Sequence, residues 1–216
     1  MIQRVDEFIL YDDAQYTRRD WRNRNRIKTK DGLLWLTIPV EVKGKFEQAI
    51  KDVRISDARW AERHMKTIAA AYARAPYFRV YRDALDGLYR GAVSMGLSDV
   101  NRHLTQGIAD LLGITTRLSW SMDYELPRGR VERLISLCKQ AGATTYVSGP
   151  TARDYLEPAD FAAAGIELAY MDYTGYPEYR QLYPPFTHQV SIIDLLLNAG
   201  PAARACLTST AALMPA

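Results

Sequence analysis

No apolar run in this chain approaches the roughly 20 residues that a membrane-spanning helix requires, so a helical membrane span is excluded. Cysteine is almost absent. The two present, Cys138 and Cys206, lie far apart within helical patterns. They imply neither a disulfide framework nor a thiolate metal site, and they read as reduced thiols. The three histidines, His64, His103 and His188, are scattered without zinc-like spacing, so no metal site is expected, and the cofactor is unknown from the sequence. A large excess of one charge is missing too. A net charge of +3 sets up no general attraction to polyanions, and neither nucleic acid nor a membrane is expected as a partner. Residues 1–5 run straight into a strand, without the long apolar stretch of a secretory signal, so the expected location is cytoplasmic. Repeats, low-complexity tracts and linkers are absent as well. The chain therefore reads as a single α/β domain, residues 1–216, of unspecified oligomeric state.

What is present is an ordinary globular composition, 48% apolar and 25% charged, with ample length for a buried core. One stretch stands out, VDEFILYDDAQYTRRDWRNRNRIK at residues 5–28. Phe8, Ile9 and Leu10 form a strand-length apolar run, followed by the paired acids Asp12 and Asp13. Then come Arg18, Arg19, Arg22, Arg24, Arg26 and Lys28, interrupted by Trp21, Asn23 and Asn25. Guanidinium forks match phosphate oxygens, and Asn both donates and accepts. A basic loop at residues 12–28 beside a strand end is thus either a phosphate site or a solvated charge run.

Further along, LLWLTIPV (residues 33–40) reads as a strand after an Asp31-Gly32 turn, and IKDVRI (50–55) as a short alternating strand. Residues 57–113 read as a helical insertion. Asp57 caps a first helix with Trp60, His64, Ile68 and Tyr72 at i, i+4 steps. A second helix covers residues 81–95, and a third, capped by Ser98, ends at Gly113. Residues 115–200 alternate strand and helix. Strands are expected at 115–120, 144–149 and 166–173, with helices at 130–141, near 156, at 158–164 and at 191–198. The helix at 130–141 presents Val131, Leu134, Ile135 and Cys138 on one face. Short connections imply right-handed parallel crossovers, hence a mainly parallel, doubly wound, Rossmann-like sheet. The tail at 201–216 is expected to fray.

Five blocks carry a resemblance: DEFILYDDAQYTRRDWRNRNRIK, WLTIPV, RWAERHMKTIAAAYARAPYF, YVSGPTARDYL and YRQLYPPFTHQVSIIDLLLNAGP. In this order they resemble the WbqC-like protein family of bacterial surface-polysaccharide clusters. The resemblance implies O-antigen or capsule sugar biosynthesis, with transfer of an acyl or aminoacyl group to a nucleotide-linked amino sugar. Members of the family normally begin with a strand and an H-Q-P-x-Y-L-P-W-x-G loop about twenty residues before the equivalent of Val5. Met1 is accordingly expected to be an internal methionine rather than the true start. An analogy also holds between YVSGPTAR (146–153) and the late phosphate-binding turn of HIGH-type nucleotidyltransferases. Ser148, Gly149, Thr151 and Arg153 would then hold phosphate at a helix start. The plain alternative is a turn capped by Ser148.

The candidate catalytic residues are His64, through the family block at its position, and Asp12 and Asp13, which would sit beside a nucleotide phosphate. Candidate substrate- or phosphate-binding residues are Arg18, Arg22, Asn23, Arg24, Asn25, Arg26, Lys28, Ser148, Gly149, Arg153, Gln181 and Tyr183. Tyr173, Tyr176, Tyr179 and Tyr183 form an aromatic loop that either stacks a ring or packs on the sheet. Asp194, among the apolar residues of SIIDLLLN, is expected to be buried. Its expected partner is an arginine of the basic loop or a backbone group. The expected ligand is a nucleotide-sugar or another phosphorylated small molecule. Nucleotidyl transfer and a non-catalytic scaffold role in the same pathway stand as alternatives.

Overall fold

A computed structural model describes residues 1–93, 95–209 and 213–215. Its strands are β1 (Glu7–Leu10), β2 (Arg24–Thr29), β3 (Gly32–Thr37), β4 (Arg117–Trp120), β5 (Thr145–Ser148), β6 (Glu167–Tyr170) and β7 (Met214–Pro215). Its helices are α1 (Trp60–Tyr72), α2 (Phe78–Gly91), α3 (Leu97–Leu111), α4 (Arg130–Gln140), α5 (Pro158–Ala163), α6 (Ile192–Ala199) and α7 (Ala203–Cys206). The chain divides into two compact units. The first comprises Met1–Tyr11, Thr116–Tyr176 and Thr208–Ala216, and the second Asp12–Thr115 and Pro177–Leu207.

The first unit is mixed α/β. β1 pairs in parallel with β4, setting Phe8 opposite Leu118 and Leu10 opposite Trp120. β5 pairs in parallel with β6, and β7 adds to β6 antiparallel. Val131, Leu134, Ile135 and Cys138, three and four residues apart on α4, pack into a core with Leu156, Phe161, Ile166 and Leu168. Tyr146 stacks on Phe161 with centroids 5.3 Å apart. Burial pushes the Cys138 thiol up to about 11, which leaves it a structural side chain. The hydrogen-bonded strands form separate pieces, β1–β4 and β5–β6–β7.

The second unit is a helical cluster with one β-hairpin. β2 and β3 pair antiparallel from Arg24 opposite Thr37 to Thr29 opposite Gly32, leaving Lys30 and Asp31 as a two-residue turn. Gly32 takes φ +110° there, which a side chain would resist. α1 follows its i, i+4 pattern: Trp60, His64, Ile68 and Tyr72 are all buried. It packs on α2 and β2, and α6 packs on α2 and β2. Gly113, at φ +65°, terminates α3.

Several expectations are corrected. Residues 50–55 are not a strand. Ile50–Asp52 is a 3₁₀ turn, and only Ile55 bridges to Val40. The buried residues are Ile50 and Val53, three apart, which suits one tight turn rather than a period of two. The basic segment is only partly a loop. Trp21–Asn23 is a 3₁₀ turn capped by Asp20, and from Arg24 the chain is strand. The third helix starts at Leu97 after Gly96, not behind a Ser98 cap. The second covers Phe78–Gly91 rather than 81–95, of which Ser94 lies outside the described residues. Of the tail expected to fray, α7 is helical and Met214–Pro215 is paired, while residues 210–212 and 216 lie outside the described residues.

Candidate functional site

Strand alternation assembles the most exposed cluster of chemistry in the second unit. Arg24, Arg26, Trp35 and Thr37 share one face of the hairpin, with Arg26 directly opposite Trp35. Trp21, in the turn just before β2, brings its ring 5.0 Å from that of Trp35. The Arg24 guanidinium lies 4.1 Å from the Trp35 ring. That of Arg26 lies 5.0 Å from Trp21 and 5.1 Å from Trp35, in contact with both indoles. These rings are not buried by the protein: Trp21 is 59% exposed and Trp35 38%. Cation–π contacts of this kind contribute about 0.5–1 kcal/mol each at a surface. They hold the guanidinium planes in place without consuming their outward N–H groups.

Other contacts fix the same side chains. Arg24 donates to the backbone carbonyls of Asp20 (3.2 Å) and Arg19, and Arg19 takes φ +61°. Arg26 Nη2 donates to Gln189 Oε1 at 3.2 Å, and its Nε is buried without a partner. Arg18 lies over the Phe46 ring at 4.9 Å and donates to the Val42 carbonyl. Arg22 is committed to Asp20 and Thr17. Asn23 is buried and holds the Ile38 carbonyl at 2.9 Å, whereas Asn25 is exposed beside Arg26. The face thus offers Arg24 and Arg26, with two indoles.

Lys28 is placed differently. It is buried, and its Nζ donates to Gln181 Oε1 at 2.6 Å and to the Pro185 carbonyl. Burial lowers its pKa, and Asp194 works against that shift. Gln181 spends every polar atom internally. Its Oε1 also accepts from Thr187 N at 3.0 Å, while Nε2 donates to Asp194 Oδ1 (3.0 Å) and the Thr187 carbonyl (2.8 Å). Asp194, 1% exposed, accepts from the hydroxyls of Tyr72 and Tyr179, both at 2.7 Å. Its partners are therefore tyrosines and an amide, not an arginine; Arg24 and Arg26 are engaged instead with Trp35, Arg19, Asp20 and Gln189. Burial, then the neighbouring carboxylate, raises the pKa of both tyrosines. Tyr183 donates to the Ala71 carbonyl at 2.9 Å. These residues pin the 179–188 loop to α1, α6 and β2.

The acidic and histidine candidates are dispersed within the second unit. Asp12 is buried and accepts from Ser98 Oγ; burial raises its pKa. Asp13 pairs with Lys51 at 2.5 Å, and Lys51 lines an open depression with Val53, Arg54, Met95 and Gly96. His64 is buried edge-on to Trp60 and Tyr89, and its Nε2 donates to the Thr37 carbonyl at 3.0 Å. Burial lowers its pKa, so it is neutral at pH 7. Among the described residues no group of three or more His, Cys, Asp or Glu could hold a metal ion.

In the first unit, Ser148 ends β5, and Gly149 precedes a five-residue 3₁₀ turn, Pro150–Asp154, without a side-chain cap. A full α-helix start is therefore not present there, and the dipole available to an anion is that of one tight turn. Arg153 lies over the Tyr170 ring at 4.8 Å.

Trp21 and Trp35 are functional candidates that the sequence pattern does not single out, since Trp35 lies within the apolar run of LLWLTIPV and Trp21 within the basic stretch. The signal was present, however. A two-residue Lys30–Asp31 turn fixes the register, and counting back from it places Arg26 opposite Trp35.

Fold and site together define a mixed α/β protein with an exposed cation–aromatic hairpin face. The chain belongs to the WbqC-like protein family, whose model matches residues 1–206. It is 49% identical over 200 residues to an uncharacterized protein of Mycobacterium tuberculosis (strain ATCC 25618 / H37Rv), covering 93% of this chain and 87% of that one. No solved structure matches. Membership suggests, in a general sense, a polysaccharide-related role.

Proposed function

We propose that the protein is an enzyme of surface-polysaccharide biosynthesis that transfers an acyl or aminoacyl group to a nucleotide-linked amino sugar. In this reading the hairpin face holds the ligand, with phosphate on Arg24 and Arg26 and a ring against Trp21 or Trp35. The observation that carries it is the Arg26 guanidinium held against two exposed indoles, with the Arg24 guanidinium on the same face. A phosphate brings two acceptors to such a fork, and an indole face takes a flat apolar ring surface. A doubly wound, Rossmann-like arrangement of the first unit belongs to the same reading, supported by the β4–α4–β5–α5–β6 alternation and two parallel pairs.

Calorimetric titration with UDP-, GDP- and dTDP-sugars tests the proposal. Arg24→Ala and Arg26→Ala should each weaken binding by roughly tenfold or more, as loss of a charge-assisted contact does. Equal affinity in wild type and both variants would contradict it. Nucleotidyl transfer is the second reading, favoured by Arg153 held over Tyr170 just past β5. It requires pyrophosphate release, which a coupled assay measures.

A further inference from the structure

Around the hairpin face lie three large apolar side chains for which a water-soluble nucleotide-sugar has no use. Phe46 is 75% exposed, Leu33 42% and Leu34 43%. Leu33 and Leu34 follow Gly32 just past the charged Lys30–Asp31 turn, so exposed leucines flank the hairpin tip, one on each face of β3. Leu33 shares its face of β3 with Trp35, two residues on. Phe46 joins the same surface through Arg18, which lies over its ring. Arg24 continues the surface by reaching back to the Arg19 carbonyl while covering Trp35. Phe46, Arg18, Arg24, Trp35 and Leu33 thus belong to one connected surface.

Its charge is as distinctive as its apolar content. Residues 15–47 hold nine Lys or Arg against four Asp or Glu, a net +5 in a chain whose total is +3. The ion pairs made there by Lys30 with Asp31 and Lys45 with Glu41 are exposed, so they are weak and easily exchanged. Exposed apolar side chains rimmed by charge mark an interaction surface. The core of a protein–protein interface is depleted in charge, particularly Lys. Here basic residues are interleaved with Trp, Leu and Phe throughout. That combination matches an anionic bilayer, where indoles settle at headgroup depth, aliphatic tips go deeper, and each basic residue contributes attraction to lipid phosphate. Among the described residues no helix is long and apolar enough to cross a membrane, and interfacial docking requires none.

We propose that this surface docks the protein on an anionic lipid bilayer, with Leu33 and Phe46 entering the headgroup–acyl boundary and Arg18 and Lys30 meeting lipid phosphates. The contact lies at the rim of the proposed ligand face, so the sugar substrate is met at a membrane surface. That consequence rests on the functional reading above; the docking does not.

Flotation with vesicles of phosphatidylcholine, with and without phosphatidylglycerol, tests it. Wild type should float with the anionic vesicles at low salt, and not with the neutral ones. The Leu33→Ser/Phe46→Ser double variant should lose roughly tenfold or more in vesicle affinity from the apolar area removed. It should keep its affinity for a soluble nucleotide-sugar. Wild type that stays with the neutral-vesicle baseline, or a double variant that floats as well as wild type, overturns the docking. Flotation without any nucleotide-sugar binding overturns the functional reading and leaves the docking intact.

Discussion

Lys28 and Asp194 share a buried cluster, and neutral groups hold each of them. Lys28 gives its protons to an amide and a carbonyl, and Asp194 receives them from two hydroxyls and an amide. Removing the carboxylate leaves those donors buried and unmatched, at about 1–3 kcal/mol for each that water cannot reach. Asp194→Ala should therefore cost roughly 2–5 kcal/mol and lower the melting temperature by more than about 5 °C. A melt within a degree of wild type would contradict the network. His64 predicts a pH dependence. Its folded pKa lies below the unfolded value of about 6.5, so below that value the unfolded chain binds the extra proton and stability falls with pH. Above it the contribution is complete. The loss precedes the titration of Asp57, whose hydrogen bonds from Arg63 and Arg59 lower it to about 2. Melts of wild type and His64→Gln at pH 7 and about 5 should show a smaller drop in the variant; equal drops would remove His64 as the cause.

The same contrast between local pattern and distant contact recurs among the elements. The stripes Trp60–His64–Ile68–Tyr72 and Val131–Leu134–Ile135–Cys138 were legible because period and burial coincide. Residues 50–55 were misread because Ile50 and Val53 are buried by contacts with the chain at 12–14 and with Leu97, which no local period reveals. The hairpin face was half legible: its arginines were evident, but the exposure of Trp35 was not, since solvent on one side of β3 is a tertiary fact. The end of α6 carries a sharper test. Gly200 sits at φ +56°, and a Cβ there would press into the Tyr77 ring. Gly200→Ala should cost about 2–4 kcal/mol from left-handed strain plus overpacking. Gly142, at φ +68° with open space around it, would incur only the strain. Paired melts should rank Gly200→Ala well below Gly142→Ala, and equal values would refute the close approach.

At the scale of the molecule, chain order and spatial grouping part company. The first unit is gathered from three separate stretches of chain, and residues 115–200, which read as one βαβ half, fall into both units. Local periodicity gave no sign of that division. Charge is partitioned as unevenly: the excess of positive charge lies in residues 15–47, around the hairpin, and the remainder of the chain is slightly acidic. The central claim is that this hairpin face is where a phosphorylated sugar binds. The chain's four tryptophans make it directly measurable, because Trp21 and Trp35 line the face, Trp60 is fully buried, and Trp120 belongs to the first unit. In a ¹⁵N–¹H spectrum, titration with UDP-, GDP- or dTDP-sugar should move the indole signals of Trp21 and Trp35 and leave that of Trp60 in place. Saturating ligand that leaves both Trp21 and Trp35 unmoved would contradict the account.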